Sequence, residues 1–252
     1  MNSANARITV VIPSLNQGRF LEEALASIDS QGLPLEIVLV DGGSTDGTQE
    51  VIRNWQGRFA WWRSAKDEGQ AAAINEGIRH GHAPYVCWLN ADDTYLPVGL
   101  GRMLDYLQSH PGVAAVYGRS WNTDEHGGSR RAYWTAAFSA WRLARYCFIS
   151  QPATLIRRDA WDAVGGLDQG LSMAMDYDLW WKLYRKFGKL GYLREYVATS
   201  RIHGASKTST RRRRHYAEAM AVVRKHTGSV PLKWYLAWPF SVWLRERLVR
   251  QK

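Results

Sequence analysis

Two adjacent carboxylates, Asp92 and Asp93, follow an apolar run in the sequence YVCWLNADD. Neighbouring like charges repel, and each carboxylate must be solvated, bound to a cation or supplied with hydrogen-bond donors. A loop at the end of a buried strand that faces a bound cation or ligand satisfies these demands. The pair is therefore a candidate site of metal or ligand chemistry.

Two further acids, Asp41 and Asp67, stand in comparable positions. Asp41 follows the apolar run LEIVLV, and Asp67 lies in the loop after FAWWRS. Ligands of parallel α/β sheets bind outside the carboxyl ends of the strands, so all four acids are expected on one rim. A single Asp beside glycine is explained equally well by a turn, but four carboxylates on one edge are costly without a cation or several donors.

The elements that would position these acids alternate between short β-branched runs and amphipathic segments. Strands are predicted at 8–12, 35–40, 59–64 and 85–90, with helices at 18–32, 47–55 and 70–81 between them. This βαβαβαβ order predicts an α/β fold with a Rossmann-like, mostly parallel sheet flanked by helices.

The pattern is less regular after residue 112. A strand at 113–118 is predicted to precede a loop or hairpin at 119–135, a strand and short helix within 151–166, a helix at 175–188, a strand at 192–203 and a basic helix at 211–226. We expect a catalytic domain over 1–208, with halves of about 1–118 and 119–208. A basic, Trp-rich helical tail over 209–252 would follow it.

The charge of the chain is concentrated in that tail. Lys and Arg number 33 against 23 Asp and Glu, a net charge of +10, and residues 211–252 alone hold 11 basic and 2 acidic side chains. The positive charge therefore indicates what the tail binds, and it does not indicate what the nearly neutral body binds.

Cysteine usage and hydropathy predict a cytoplasmic location. Cys87 and Cys147 show neither a paired spacing nor a zinc pattern, which favours a reduced setting. The apolar run before Pro13 is too short for a signal peptide, and no run reaches the roughly eighteen apolar residues of a membrane span.

Six motifs, taken in order, resemble the family 2 glycosyltransferases of the GT-A fold. They are VVIPSLNQGRFLEEALASI, IVLVDGGSTDGTQEVI, DEGQAAAINEGI, CWLNADD, QPATLIRRDAWDAVGGLD and MDYDLW, and the likeness spans about residues 7–208. The resemblance implies an inverting enzyme that moves a sugar from a nucleotide-sugar donor to an acceptor hydroxyl, usually with Mg²⁺ or Mn²⁺. It also implies work in cell-surface polysaccharide or lipopolysaccharide assembly.

The resemblance assigns roles to the adjacent acids. Asp93 corresponds to the carboxylate that binds the metal, and Asp92 to the residue that faces the donor ribose or shares the metal. Mg²⁺ is usually held by one or two carboxylates with phosphates and water, so a sparse site is expected. Asn90 stands where many relatives carry a further Asp, which lowers the local charge.

The resemblance also places the nucleotide at the ends of the first strands. Asp41, with the loop around Pro13 and Leu15, corresponds to the nucleoside pocket. The sequence DGGS replaces the commoner DDGS, which removes a usual contact to the base and leaves the identity of the base open. Asp67 and Gln70 lie where relatives line the nucleotide and sugar, and Gln70 is alternatively a helix cap.

Inversion requires a base that takes the proton of the attacking hydroxyl on the face opposite the leaving group. The base of the family corresponds to Asp176, with Met175 in place of the usual Glu; the alternative is an N-cap. Asp178, two residues on, points to another face of the helix, where it would serve the helix dipole. Trp180 is either the floor of the acceptor site or a core residue.

Two further features refine the expected activity. His203, in SRIHGASKT, corresponds to a late metal or phosphate contact of some relatives, although a lone His is more often structural. The QxxRW motif of processive synthases is absent after Asp176, where WWKLY stands instead. We therefore expect one sugar to be added per encounter.

The tail sequence VPLKWYLAWPFSVWLRERLVRQK predicts a membrane contact. Trp234, Trp238 and Trp243 lie among Leu and Phe with basic residues on both sides. Residues 234–244 are too few to span a bilayer, but Trp favours the headgroup boundary and basic residues favour anionic lipid. We expect peripheral binding to the inner face of the cytoplasmic membrane, beside a glycan or lipid-linked acceptor. The alternative is that these Trp pack on the body or on a second subunit of an oligomer.

Other functions fit parts of the sequence. RRRR at 211–214 suits a nucleic-acid binder, but the nearly neutral body argues against a broad phosphate-binding face, so no nucleic-acid partner is expected. A catalytically inactive sugar-binding scaffold would keep the fold and lose the acids, which are all present. A nucleotidyltransferase would need a glycine-rich loop with a basic partner after the first strand, and the sequence has none there.

Overall fold

The structure is a computed structural model that describes residues 5–204 and 206–244. Its strands are β1 (Ile8–Ser14), β2 (Leu35–Asp41), β3 (Trp61–Ser64), β4 (Tyr85–Trp88), β5 (Thr94–Tyr95), β6 (Ala115–Thr123), β7 (Arg130–Ala132), β8 (Thr154–Arg157) and β9 (Gly191–Arg201). Its α-helices are α1 (Gly18–Asp29), α2 (Thr48–Trp55), α3 (Gln70–His80), α4 (Gly99–Ser109), α5 (Ala140–Leu143), α6 (Arg158–Val164), α7 (Met175–Phe187), α8 (Lys207–Thr210), α9 (Arg212–Thr227) and α10 (Leu232–Trp238). The predicted tail residues 245–252 and the side chain of Trp243 lie outside the described part.

The strands form one sheet in the order β3-β2-β1-β4-β8-β6-β9-β5, with β7 paired to β6. β3, β2, β1 and β4 are parallel neighbours, and Ile8 of β1 lies in register with Leu35 of β2 and Tyr85 of β4. Every residue of β1 and β4 is buried, as expected of a parallel sheet with helices on both faces. The predicted α/β class is confirmed.

The second half of the sheet mixes strand directions. β8 is antiparallel to both β4 and β6, whereas β6 is parallel to β9. β6 continues to Thr123 and then pairs with β7 as a hairpin, so the segment predicted as a loop or hairpin is half strand. The strand extends this far because β9 lies beside it as far as Arg201.

Each face of the sheet carries its own apolar core. α1 and α4 pack on one face, and α3, α6, α7 and α9 pack on the other. The second core contains Trp88, with its ring stacked at 6.1 Å on that of Trp180 and edge-on at 6.0 Å to that of Trp161. The carboxyl ends of the parallel strands are thereby held rigidly between two helical layers.

The tail helix α9 completes the second core. Ala219, Val222 and Val223 are buried there with residues of α7. The carboxylate of Glu218 accepts hydrogen bonds from the N–H groups of Met173 and Ala174, at 2.7 and 3.2 Å, immediately before α7 begins. The domain boundary predicted between residues 208 and 209 stays a prediction. Helix α9, which follows it, packs in the same core as α7 of the catalytic half.

The next helix, α10, also contacts the body. Trp234 is buried, and its indole N–H donates to the carbonyl of Ala144 at 2.8 Å. Its ring and that of Trp238 both lie edge-on to Tyr216 of α9, at 5.1 and 5.3 Å. These two Trp therefore pack on the body, which is the alternative that the sequence left open. Among the described residues no helix is both long and apolar enough to cross a bilayer.

The capping by Glu218 yields a stability prediction. Glu218→Gln should lower the free energy of unfolding by about 2 kcal/mol, because hydrogen bonds from N–H groups to a charged acceptor are lost or weakened. Urea denaturation measures this change. Glu195→Gln is the matched control, because its carboxylate is about half exposed beside Arg102 and contributes little. Equal midpoints for the two variants would contradict the capping role.

Candidate active site

The acids singled out in the sequence do meet at one edge of the sheet. Asp41 ends β2, Asp67 follows β3, and Asp92 and Asp93 follow β4. Because these strands are parallel neighbours, their carboxyl ends lie side by side. The hydrogen bonds of each carboxylate decide which of them can bind a ligand.

Asp41 is completely buried and saturated with donors. Its two oxygens accept hydrogen bonds from the N–H groups of Gly43 and Ser44 and from the side chains of Ser44, Gln49 and Ser64. Oδ2 accepts four of these hydrogen bonds and Oδ1 accepts one. Asp41 thus shapes the loop after β2, and its expected contact with the nucleotide stays a prediction.

The open part of this corner is formed by Leu15, Gly42 and Asp67. A Cβ atom added to Gly42 would lie 3.1 Å from Oδ2 of Asp67 and 3.4 Å from Cδ1 of Leu15. Leu15 is exposed. Pro13 is buried within β1 and helps to position Leu15, two residues further on. A side chain at position 42 would therefore press against Asp67 and Leu15, and a second Asp there would also be repelled by Asp67.

Asp93 turns into the protein. Its oxygens accept hydrogen bonds from the backbone N–H of Arg201 at 2.9 Å and from the Asn90 amide at 3.1 Å. Burial raises the pKa of Asp93 to about 8, and the charge of Asp92 adds to the effect. The predicted metal carboxylate is therefore the less accessible member of the pair.

Asp92 occupies the rim. Its side chain is 18% exposed, and its Oδ2 lies 2.9 Å from Nε2 of His203. Arg19 can only donate, so its contact of 3.2 Å makes Nδ1 of His203 an acceptor and places the ring proton on Nε2. His203 in this state donates to Asp92 and orients it; to bind a cation, Nε2 would have to lose that proton.

A chain of amides connects Asp93 to the surface. Asn90 donates to Asp93 and to Gln151 and accepts from Gln70 at 2.7 Å. Gln70 in turn accepts from Lys207 at 2.7 Å, and it makes no cap to α3. An amide at position 90 can donate and accept at once, which a carboxylate cannot do. This explains the departure from Asp at that position.

Asp176 lies at the start of α7, where the expected base belongs. One oxygen accepts from the N–H of Tyr177 at 2.8 Å, and the other has no hydrogen-bond donor among residues 5–204 and 206–244. Burial raises the pKa of Asp176 to about 6. The hydrogen bond from Tyr177 lowers this pKa, but its effect is smaller than that of burial. A carboxylate with a free oxygen and a pKa near neutrality is suited to proton transfer.

Asp178 and Trp180 belong to the interior. Asp178 is ion-paired to Lys225 at 3.0 Å and bonded to His226 at 2.8 Å, and these contacts, against the effect of burial, lower its pKa to about 2. Trp180 is 0% exposed and stacks on Trp88, so no sugar can reach its ring. The acceptor role predicted for Trp180 is corrected to core packing.

Lys207 of α8 contacts the rim through Gln70. Its Nζ donates to the side-chain oxygen of Gln70 at 2.7 Å, so a cation lies beside the chain of amides that leads to Asp93.

Sequence reasoning missed Arg201 and Glu218. The buried guanidinium of Arg201 donates to the carbonyls of Asp92 and Glu125 and to the carboxylate of Glu23. It thus fixes the loop after β4 from the distant end of β9. The signal was weak: a charged residue at the end of an otherwise apolar strand, and a single acid in a basic helix.

The chain resembles known proteins over most of its length. The family model described as Glycosyl transferase family 2 matches residues 9–165. The chain belongs to this family. An uncharacterized glycosyltransferase of Rickettsia typhi is 23% identical over 83% of this chain and 68% of its own length. The chondroitin synthase of Escherichia coli is 25% identical over 78% of this chain, which spans only 29% of that enzyme.

Solved structures confirm the GT-A fold of this glycosyltransferase. The S. aureus protein TarS in complex with UDP-GlcNAc superposes with a TM-score of 0.70 at 16% identity, over 87% of this chain and 66% of that one. The mannosyltransferase PcManGT of Pyrobaculum calidifontis, in complex with GDP-Man and Mn²⁺, superposes with a TM-score of 0.67 at 20% identity, over 97% and 74% of the two chains.

The role of Asn90 can be tested in this glycosyltransferase through the pH dependence of stability. Asn90→Asp adds a carboxylate beside Asp93, whose pKa of about 8 lies well above the ordinary value of about 3.9 for an Asp. Between these two pKa values the folded state binds more protons than the unfolded state, so the free energy of unfolding falls as the pH rises. The loss of Tm in Asn90→Asp should be larger at pH 8 than at pH 5.

Thermal unfolding at the two pH values measures this difference. Asn54→Asp on the exposed surface of α2 makes the same charge change and should show little pH dependence. A loss of Tm in Asn90→Asp that does not change with pH would remove the electrostatic explanation.

Proposed function

We propose that this glycosyltransferase transfers a single sugar, with inversion, from a nucleoside-diphosphate sugar to an acceptor hydroxyl. Asp176 carries the proposal, because it presents a free carboxylate oxygen, a pKa of about 6 and a fixed position at the start of α7. Asp178, the other acid of that turn, is committed to α9.

Asp176 acts as the general base. The acceptor oxygen attacks the anomeric carbon and forms the new bond as its proton passes to the free oxygen of Asp176. The bond from the anomeric carbon to the diphosphate oxygen breaks on the opposite face, and the nucleoside diphosphate leaves with the electron pair. Attack from the face opposite the leaving group inverts the anomeric centre.

The rim acids suit a divalent cation held mainly by the donor itself. Oδ1 of Asp92 has no hydrogen-bond donor in the described ranges, and no three His, Cys, Asp or Glu side chains there are arranged for a metal. One carboxylate with phosphates and water suits Mg²⁺ or Mn²⁺. The cation would stabilise the charge that develops on the departing diphosphate. Asp92 is the favoured ligand, His203 orients it, and Asp93 holds the loop.

The nucleoside is proposed to bind between Leu15 and Asp67. Leu15 offers an exposed apolar side chain to a base, and Asp67 offers an oxygen that accepts from a donor on the base. Gly42 adds no side chain between them. TarS with UDP-GlcNAc and PcManGT with GDP-Man support a nucleoside-diphosphate donor without choosing the base.

The product is proposed to be a surface polysaccharide or lipopolysaccharide. The chondroitin synthase of Escherichia coli among the relatives supports a glycan acceptor. A step that adds one sugar would suit a growing chain built by several transferases.

The experiment that tests the function is a ligand screen followed by a transfer assay. UDP, GDP, CDP and dTDP are added with and without Mn²⁺, since a ligand that binds only the folded state raises Tm. One nucleotide should raise Tm more with Mn²⁺ than without it, and its sugar conjugates should be hydrolysed or transferred. Binding without any turnover across the panel would instead favour an inactive sugar-binding scaffold.

Asp176→Asn tests the base. The amide keeps the size of the side chain but cannot accept the proton, so turnover should fall at least ~10²-fold with nucleotide binding unchanged. The unmodified enzyme should lose activity as the pH falls below about 6, the pKa of Asp176, because the protonated acid is no longer a base.

Asp178→Asn is the matched control for that variant. It should lower Tm, because the buried Asp178 carboxylate loses its ion pair with Lys225 and its hydrogen bond with His226. Asp176→Asn should keep or raise Tm at pH 7, since it removes a charge that has no ionic partner among residues 5–204 and 206–244. A larger loss of turnover in a folded Asp178→Asn than in Asp176→Asn would overturn the assignment.

Asp92→Asn tests the cation. This variant should lose the part of nucleotide affinity that depends on Mn²⁺ and keep the part that does not. The thermal shift with nucleotide, measured with Mn²⁺ and with chelator, separates the two. If the Mn²⁺-dependent part of the thermal shift is kept in Asp92→Asn and lost in Asp93→Asn, the metal ligand is Asp93 and not Asp92.

A further inference from the structure

Helix α10 is apolar on two opposite sides. Trp234 and Trp238 face the body, whereas Leu232 and Leu236 are 69% and 72% exposed on the outer side. Tyr235 and Phe240 are also exposed. Leu232, Leu236 and Phe240 follow one another at intervals of four residues, so they continue along the same outer side. A helix that is apolar all round is expected to be covered on both sides.

A second group of exposed aromatic side chains adjoins α10. Trp141 of α5 is 65% exposed, and Trp134 and Tyr146 are exposed beside it. The ring of Trp134 lies 5.3 Å from that of Tyr146, and Nζ of Lys233 on α10 lies 5.9 Å from the ring of Tyr146. Together with the outer side of α10 these residues form one surface, here called the apolar face. It consists of Trp134, Trp141, Tyr146, Leu232, Leu236 and Phe240.

Positive charges border the apolar face. Arg145 stacks on the ring of Trp141 at 3.9 Å, and Arg224 donates to the hydroxyl of Tyr235 at 3.2 Å. Lys233 is the only charged residue in the stretch 228–244, and the sequence continues as RERLVRQK. Trp and Tyr beside Lys and Arg favour the boundary between water and the headgroups of anionic lipid.

We propose that the apolar face docks on an anionic lipid bilayer. The apolar side chains would enter the boundary between headgroups and acyl chains, and the basic border would bind lipid phosphates. Charge complementarity selects this occupant over a second copy of the chain, because pairing two such faces would bring basic borders together.

The apolar face approaches the helix that carries the proposed base. The hydroxyl of Tyr177, next to Asp176 in α7, donates to the carbonyl of Leu143 in α5, the helix that carries Trp141. The hydroxyl of Tyr133 donates to the carbonyl of Cys147 at 2.6 Å, and burial, followed by smaller effects that include the charge of Asp176, raises the pKa of both side chains. The ring of Tyr133 lies 6.5 Å from that of Tyr146 in the apolar face. On the basis of the proposed function, an acceptor anchored in the bilayer by a lipid would reach Asp176 from this side.

The test uses the full chain, because deletion after residue 209 would remove Glu218, Lys225 and His226 from the core. The face variant combines Leu232→Ser, Leu236→Ser and Phe240→Ser. The control variant combines Trp62→Ser, Val98→Ser and Phe187→Ser, three other exposed apolar side chains. Both sets lie outside the nucleotide and base sites.

Cosedimentation with vesicles of phosphatidylcholine, with or without phosphatidylglycerol, is the measurement. The unmodified protein should bind the anionic vesicles in low salt and leave them in high salt. The face variant should bind at least about tenfold more weakly, and the control variant should bind normally. Equal binding by all three proteins, or no binding by the unmodified one, overturns the proposal.

Two further readouts separate this proposal from other outcomes. The thermal shift with nucleotide should be the same in the face variant as in the unmodified protein, so vesicle binding and donor binding can fail independently. Sedimentation velocity without vesicles should show the same mass for both proteins. If the unmodified protein is a dimer and the face variant is a monomer, the apolar face binds a second copy of the chain. That result would overturn the proposal that it docks on a bilayer.

Discussion

A carboxylate enters a protein interior only if donors or cations are built around it. This constraint shapes the acids of this glycosyltransferase more than their positions in the sequence do. Asp41 is surrounded by donors from its own loop and from β3, Asp93 by Arg201 and Asn90, and Asp178 by α9. Asp92 and Asp176, which each keep an oxygen without a hydrogen-bond donor in the described part of the chain, are the acids assigned to metal binding and proton transfer.

The sequence predicted where the acids lie but not which of them are open. Parallel strands in βαβ order place their carboxyl ends together, so the rim followed from the pattern of apolar runs. Ser64, one of the donors to Asp41, is 23 residues away along the chain, and Arg201, a donor to Asp93, is 108 residues away. No local pattern reports such distant partners, so the sequence could not show that Asp93 is the more buried acid of the pair and Asp92 the more exposed one.

The same limit explains Trp180 and the tail. An aromatic residue one turn after a catalytic Asp fits both an acceptor platform and a core, and helical periodicity cannot distinguish them. The decision depends on Trp88 of β4, which stacks on Trp180. For α9, the basic composition concealed a face of Ala219, Val222 and Val223 that packs against α7. Its exposed charges dominate the composition, and its few buried residues determine its place.

The dependence of α7 on α9 has a consequence for the order of folding during synthesis. Domains form as the chain emerges, N-terminal parts first, and the four parallel strands have their partners early. The helix that carries Asp176 leaves the ribosome before Glu218, Lys225 and His226, so its first turn is uncapped and Asp178 has only Lys182 of the same helix as a counter-charge at that stage. The donor half can thus become native on the ribosome, whereas the acceptor half is completed only after α9 has been made.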